Sequence, residues 1–266
     1  METKLRRITK LSRENSKMEF CGLIQHFNKE NLMRCFHELD GKKAVGIDKV
    51  SKEEYSVDLE KNIENLIARM KTLKYYPAPV REVLIPKGNG KYRPLGISNI
   101  EDKIFQSMYA KILSAIYEPL FIEESFGFRP GRSCHDAMKS LYKYLNEMIE
   151  GVVIDIDLSN FFGTINHRKL IQILEMKIQD KTFIRYIVRM LRAGVLAKGE
   201  LRKDDNGSPQ GSICSPILAN IFAHYCIDQW VKHEIPRYLH GNIHIVRYAD
   251  DTVIIAIPIT LEFSGS

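Results

Sequence analysis

The chain has 266 residues, a formal net charge of +6, 44% hydrophobic and 27% charged residues. That is enough chain for a sizeable buried core, and it excludes disordered and collagen-like classes. No apolar run approaches the roughly 18 residues of a membrane span, residues 1–17 are polar and basic rather than secretory, and five scattered cysteines (Cys21, Cys35, Cys134, Cys214, Cys226) indicate a reducing compartment without a disulfide framework or zinc site.

The charge is uneven along the chain. Residues 1–100 hold 20 Lys and Arg against 13 Asp and Glu, whereas residues 101–266 hold 19 against 20. The excess is either a solvated basic face or a surface for phosphates. Residues 58–74 carry Ile63, Leu66, Ile67, Met70 and Leu73 at helical spacing, stopping before Pro77 and Pro79. Residues 80–93 read as a β-hairpin with a basic tip around Pro86-Lys87-Gly88-Asn89-Gly90. Residues 101–117 predict an amphipathic helix with Phe105, Met108, Tyr109, Ile112, Leu113 and Ile116 on one face. A further helix is predicted over 131–150, followed by the β-branched run Val152 to Asp157, short enough for a strand buried in a sheet. Residues 166–191 read as mostly helical, and 208–212 as a loop. Ser215 is placed as a helix N-cap with Pro216 in the first turn, and that helix should end before Pro236. Residues 243–248 and 252–257 are strand-like and joined by Ala249-Asp250-Asp251, the pattern of a hairpin. Helices interleaved irregularly with a sheet indicate the α+β class.

The acids stand out. Asp155 and Asp157 punctuate an apolar strand, and Asp250 and Asp251 sit at the tip of an apolar hairpin. Carboxylates are costly to bury unpaired. Brought together from two strands they repel, and a hard divalent cation relieves that. Two such ions about 4 Å apart can serve phosphoryl transfer. Read alone, an Asp-Asp tip is far more often a plain turn than a metal site.

The neighbouring motifs extend this. Tyr248-Ala249-Asp250-Asp251 resembles the active-site hairpin (YADD motif) of reverse transcriptases. Asp155-Ile156-Asp157-Leu158-Ser159-Asn160-Phe161-Phe162 resembles that family's first catalytic motif, and Ser208-Pro209-Gln210-Gly211 its template- and nucleotide-positioning motif. Ile85-Pro86-Lys87 with Tyr92-Arg93-Pro94-Leu95-Gly96 is similar to the fingers hairpin. Gly46-Ile47-Asp48 and Phe126-Gly127-Phe128-Arg129-Pro130-Gly131-Arg132 resemble segments of group II intron-encoded reverse transcriptases, or maturases.

The resemblance implies right-hand polymerase fingers (1–145) and an incomplete palm (146–260), with an antiparallel palm sheet flanked by helices, the thumb absent, and 261–266 an added or truncated tail. It implies Asp157, Asp250 and Asp251 as catalytic ligands of two Mg²⁺ ions, with Asp155 structural. Lys87 and Arg93 would hold the triphosphate, Phe162 would lie under the nucleotide sugar and select against a 2′-hydroxyl, and Gln210 and Gly211 would pack by the nucleotide. Arg129 and Arg132 would contact the template backbone. His135 and His167 are read as structural. The implied partners are an RNA template and intron RNA, a DNA or RNA primer and a dNTP, in a bacterial cytoplasm, with no membrane. A homodimer through the palm or fingers is a further expectation. A non-catalytic RNA-binding maturase-like fragment is the alternative function, and an RNA-templated RNA polymerase a third.

Overall fold

The computed structural model describes residues 2–87, 90–148, 150–203, 206–207, 211–239 and 241–258. In chain order its elements are α1 (Glu2–Glu14), α2 (Lys29–Glu38), α3 (Lys52–Val57), α4 (Leu59–Lys71), β1 (Val80–Lys87), β2 (Lys91–Ile97), α5 (Ile100–Tyr117), α6 (Cys134–Glu147), β3 (Val152–Asp157), α7 (Phe161–Thr164), α8 (His167–Glu175) and α9 (Lys181–Leu191). Then come β4 (Val195–Ala197), β5 (Glu200–Arg202), α10 (Ser215–Ala223), a π-helical turn at His224–Asp228, α11 (Gln229–His233), β6 (Gly241–Tyr248) and β7 (Asp251–Pro258). The α+β class holds. The tail at 261–266 lies outside the described residues.

By internal contact the chain forms two compact units, residues 1–120 with 162–218, and residues 121–161 with 219–266. In the first unit, α5 is the central element. Ile104, Phe105, Met108, Tyr109, Ile112, Leu113 and Ile116 are all 0% exposed. Each such side chain contributes about 1.5–3 kcal/mol. The expected amphipathic helix is in fact buried nearly all round: Asp102, Gln106 and Ser107 are buried too. Burying them is tolerable because they are bonded. Gln106 accepts from the Ile213 N–H (3.1 Å) and donates to Ser98 Oγ (3.1 Å), which ties the 211–214 loop to α5. Around α5 lies an aromatic cluster, with Tyr109 centred 4.3 Å from Phe183 and 4.7 Å from Phe27. α1 is a helix that the sequence reading left unassigned. It seats Ile8 in the core and bonds Ser12 Oγ to the Ile116 carbonyl (2.5 Å), while Lys4, Arg6, Arg7, Lys10 and Arg13 face solvent.

Helix starts in this unit are chemically marked. Ser51 and Glu54 form a capping box at α3, and Asp180 accepts from the Thr182 and Phe183 N–H groups at α9. The sheet runs β2-β1-β4-β5, with β1 antiparallel to β2 and parallel to β4.

In the second unit a three-stranded antiparallel sheet has the order β3-β7-β6. Val246 packs with Ala137 of α6 and Phe126 on one face, and Ile245 and Ile254 pack with Val231 on the other. A Ser133–Asp136 capping box starts α6. The expected burial of the 152–157 strand is not observed. β3 is an edge strand with Val152, Val153 and Ile154 exposed, because among the described residues only β7 pairs with it. The helix that begins at Ser215 ends before Pro236, as expected: α10, the π turn and α11 stop at His233, and Pro236 lies in a separate 3₁₀ turn at Ile235–Arg237. Proline is tolerated there because it occupies the first turn, where its missing N–H has no partner to lose. Among the described residues, no helix is long and apolar enough to cross a membrane.

Candidate active site

In the second unit the acids are brought together by sheet register. β6 and β7 close on the Tyr248–Asp251 pair, leaving Ala249 and Asp250 as a two-residue loop. Antiparallel pairing of β3 with β7 sets Asp157 directly opposite Asp251, and Asp155 opposite Val253. Period-2 alternation puts Asp155, Asp157 and Asp251 on one face. They are exposed and Asp250 is half-buried, so the burial cost is smaller than expected, and mutual repulsion adds to it. The Asp251 carboxyl is pushed above its usual range, first by desolvation and then by the charges of Asp250, Asp157 and Asp155. An all-carboxylate donor set held against its own repulsion fits a hard divalent cation. Among the described residues, no three His, Cys, Asp or Glu side chains already converge as a ligand cluster.

Behind the acid loop is a buried polar network that the sequence reading missed. Arg247 is 0% exposed, the largest side chain buried to that degree. Its Nε and Nη2 donate to the two carboxylate oxygens of Asp228 (2.7 and 2.8 Å), and its Nη1 donates to Asn220 Oδ1 (3.1 Å) and to the Ala249 carbonyl (3.0 Å). Asn220 Nδ2 in turn donates to the Gly127 carbonyl (2.8 Å). Burial pushes the Asp228 carboxyl up, but the bonds from Arg247 and His224 outweigh it and hold the group below the usual range. The missed signal was an arginine directly after the strand-like residues 243–246, with a lone acid, Asp228, in the helical stretch 215–233.

The other candidates of this unit are engaged locally. Arg129, expected at the template backbone, is 7% exposed. Its Nη1 donates to the Ile122 and Ser125 carbonyls (2.6 and 2.7 Å), and the guanidinium lies 5.3 Å from the Phe121 ring centre. Its planar fork clamps a turn. Arg132 is half-buried and pairs with Glu123 at 2.5 Å. His135 is exposed on the first turn of α6.

In the first unit, Lys87 ends β1 opposite Lys91, its side chain lying outside the described part. Arg93 is exposed on β2, opposite Ile85. Gly211 has φ +100°, and a Cβ there would meet the Gly96 carbonyl and a Leu95 methyl, each at 2.7 Å. Only glycine accepts both the backbone angle and that approach to the hairpin. Gln210 lies outside the described residues. Phe162 is 7% exposed in α7. His167 is buried, and its Nε2 is bonded to the Gly207 carbonyl. Ser215 is the first residue of α10 itself.

The pattern of the family described as reverse transcriptase (RNA-dependent DNA polymerase) matches residues 85–257. The chain is 36% identical over 225 residues to the group II intron-encoded protein LtrA of Lactococcus lactis subsp. cremoris, covering 83% of this chain and 37% of LtrA. It is 42% identical over 174 residues to an uncharacterized 91 kDa protein in cob intron of Schizosaccharomyces pombe, covering 64% of this chain and 21% of that protein. Protein YkfC of Escherichia coli K12 is 36% identical over 205 residues, covering 76% of this chain and 53% of YkfC. The chain thus spans from about a fifth to about half the length of these curated relatives. Among solved structures, a chain of a partial Cas6-RT-Cas1–Cas2 complex superposes with a TM-score of 0.55 at 21% identity, covering 89% of this chain and 38% of that one, a likeness of fold.

Proposed function

The chain belongs to the reverse transcriptase (RNA-dependent DNA polymerase) family, and from that premise we propose that it is the fingers and palm, 1–145 and 146–260, of a group II intron-type RNA-directed DNA polymerase with a maturase role. The observation that carries the reading is the opposition of Asp157 and Asp251 across the β3–β7 ladder, beside Asp250.

Asp157, Asp250 and Asp251 are the residues that would hold two Mg²⁺ ions. Bound divalent cations supply charge neutralisation and Lewis acidity at a phosphate. The chain's own contribution is positioning. Lys87 offers a point charge and Arg93 a planar fork to the triphosphate of a dNTP. Gly211 admits close backbone approach near the nucleotide, with Gln210 beside it in sequence. Phe162 beneath the sugar would clash with a 2′-hydroxyl and favour deoxynucleotides. The primer 3′-hydroxyl then attacks the α-phosphorus, and pyrophosphate leaves. Template recognition is by shape and backbone rather than sequence-specific.

A second reading, an RNA-binding maturase-like role without synthesis, is favoured by α1. Its five exposed cations on one short helix suit an RNA backbone, including that of an intron.

The test is primer extension on an RNA template with Mg²⁺ and dNTPs. Extension that disappears in Asp250→Ala is expected. Extension unchanged by that substitution would overturn the polymerase reading. Salt-sensitive RNA binding without extension would support the second.

A further inference from the structure

The two loop residues of the acid hairpin are the ones the sheet does not hold. Ladder pairing fixes Tyr248 and Asp251, but Ala249 and Asp250 lie beyond it. Ala249 has φ +59°, a left-handed conformation that costs an L-residue about 1–2 kcal/mol and that glycine would normally supply. Such a conformation persists only where the surroundings over-determine it. Here they do so from two sides. The Arg247 guanidinium donates to the Ala249 carbonyl at 3.0 Å, and Gly127 backs the Ala249 N–H so closely that a Cβ would sit 2.3 Å from that nitrogen.

Arg247 is itself immobilised. Asp228 takes two of its donors and Asn220 a third, and Asn220 also grips the Gly127 carbonyl. The strand backbone is pinned as well, since Arg247 N–H donates to the Glu124 carbonyl (2.9 Å) and its carbonyl accepts from Phe126 N–H (2.8 Å). Asp228 closes a π-helical turn, which inserts a residue into the helix and re-aims the face that follows. A buried ion pair is a poor source of net stability, because well-packed apolar residues often do as well. Its geometric effect here is specific: a rigid fork spans from the helix to the carbonyl immediately before Asp250.

We infer that Arg247, braced by Asp228 and Asn220, is the positioning residue of the acid loop, holding Ala249 left-handed so that Asp250 is presented at a fixed angle to Asp157 and Asp251. Arg247 acts through the Ala249 carbonyl, being itself 0% exposed. The inference rests on the polymerase reading for its activity readout and on the acid set alone for its binding readout.

The test uses the full 266-residue chain and the double variant Arg247→Met/Asp228→Leu, which removes the fork and its counter-charge together and so leaves no unpaired buried ion. Two quantities are read. Mn²⁺ affinity, by electron paramagnetic resonance, should weaken about 10–100-fold, as is usual when a supporting partner of a ligand is lost. In primer extension, kcat should fall by a similar 10–100-fold while the dNTP KM stays within about twofold. A double variant that unfolds cooperatively yet keeps wild-type Mn²⁺ affinity and kcat overturns the inference, since the pair would then be structural only. If the double variant gives no cooperative urea transition, Arg247→Lys takes its place under the same criteria: its single ammonium can meet Asp228 but not reproduce the fork to Ala249. Failure of a longer chain that includes the thumb to extend a primer defeats the polymerase reading. The Mn²⁺ comparison still decides the positioning role.

Discussion

Asp157 and Asp251 are cross-strand partners, two carboxylates facing each other on one side of the β3–β7 ladder. Like charges directly opposite destabilise a sheet, and Asp250 and Asp155 add to the field at Asp251. Asp157→Asn should therefore raise stability at low salt by about 0.2–1 kcal/mol while abolishing extension. Added salt should erase most of the gain by screening. Urea unfolding at two ionic strengths checks this, and a variant less stable than wild type at low salt would contradict it.

Gly127 is not required by its own backbone angle but by its neighbour. A Cβ would lie 2.3 Å from the Ala249 nitrogen. Gly127→Ala should cost about 1–3 kcal/mol through overpacking and lower extension by moving the acid loop. Denaturant midpoints together with single-turnover extension test it. Unchanged stability would mean that the contact is slack.

Asp102 provides the pH dependence. Buried on α5, its carboxyl is pushed up to about 7 by desolvation, despite accepting from the Tyr75 hydroxyl and from Ala78 N–H (3.1 Å). The folded chain therefore keeps a proton that the unfolded chain gives up above 3.8. Its contribution is fully present below that value and is lost as pH rises through about 7. Within the window the loss cannot exceed about 1.4 kcal/mol per pH unit. Asp102→Asn should flatten the fall in urea stability between about pH 5 and about pH 7. Parallel slopes in the two proteins would rule the assignment out.

The β3 edge predicts self-association. Val152, Val153 and Ile154 are exposed beside an unpaired row of backbone groups among the described residues. Such an edge templates pairing with a second chain, and lysine on it is a common guard. Sedimentation coefficients should rise with concentration and do so less in Val153→Lys. A wild-type coefficient independent of concentration would remove the prediction.

Much of the site was legible because it is local. The Asp155–Asp157 spacing lies within one strand and Asp250-Asp251 within one turn. Gly211 was singled out from a short motif, and the close approach of Leu95 and Gly96 supplies the reason for a glycine there. The setting of Arg129 was not legible, because a guanidinium reads the same in sequence whether it faces solvent or two backbone carbonyls. α1 escaped because the sequence reading found no apolar core in its basic surroundings.

By itself the sequence determined the α+β class and the hairpins, since period and turn chemistry act over neighbouring residues, and its resemblance to reverse transcriptases implied the acids. Which carboxylate opposes which was decided only by the pairing of β3 with β7, strands more than ninety residues apart. The same holds for Arg247. Nothing in its neighbours tells that a π turn nineteen residues earlier brings Asp228 against it. Burial of a charge is a property of the packed interior, and only the tertiary structure supplies the partner that makes it tolerable.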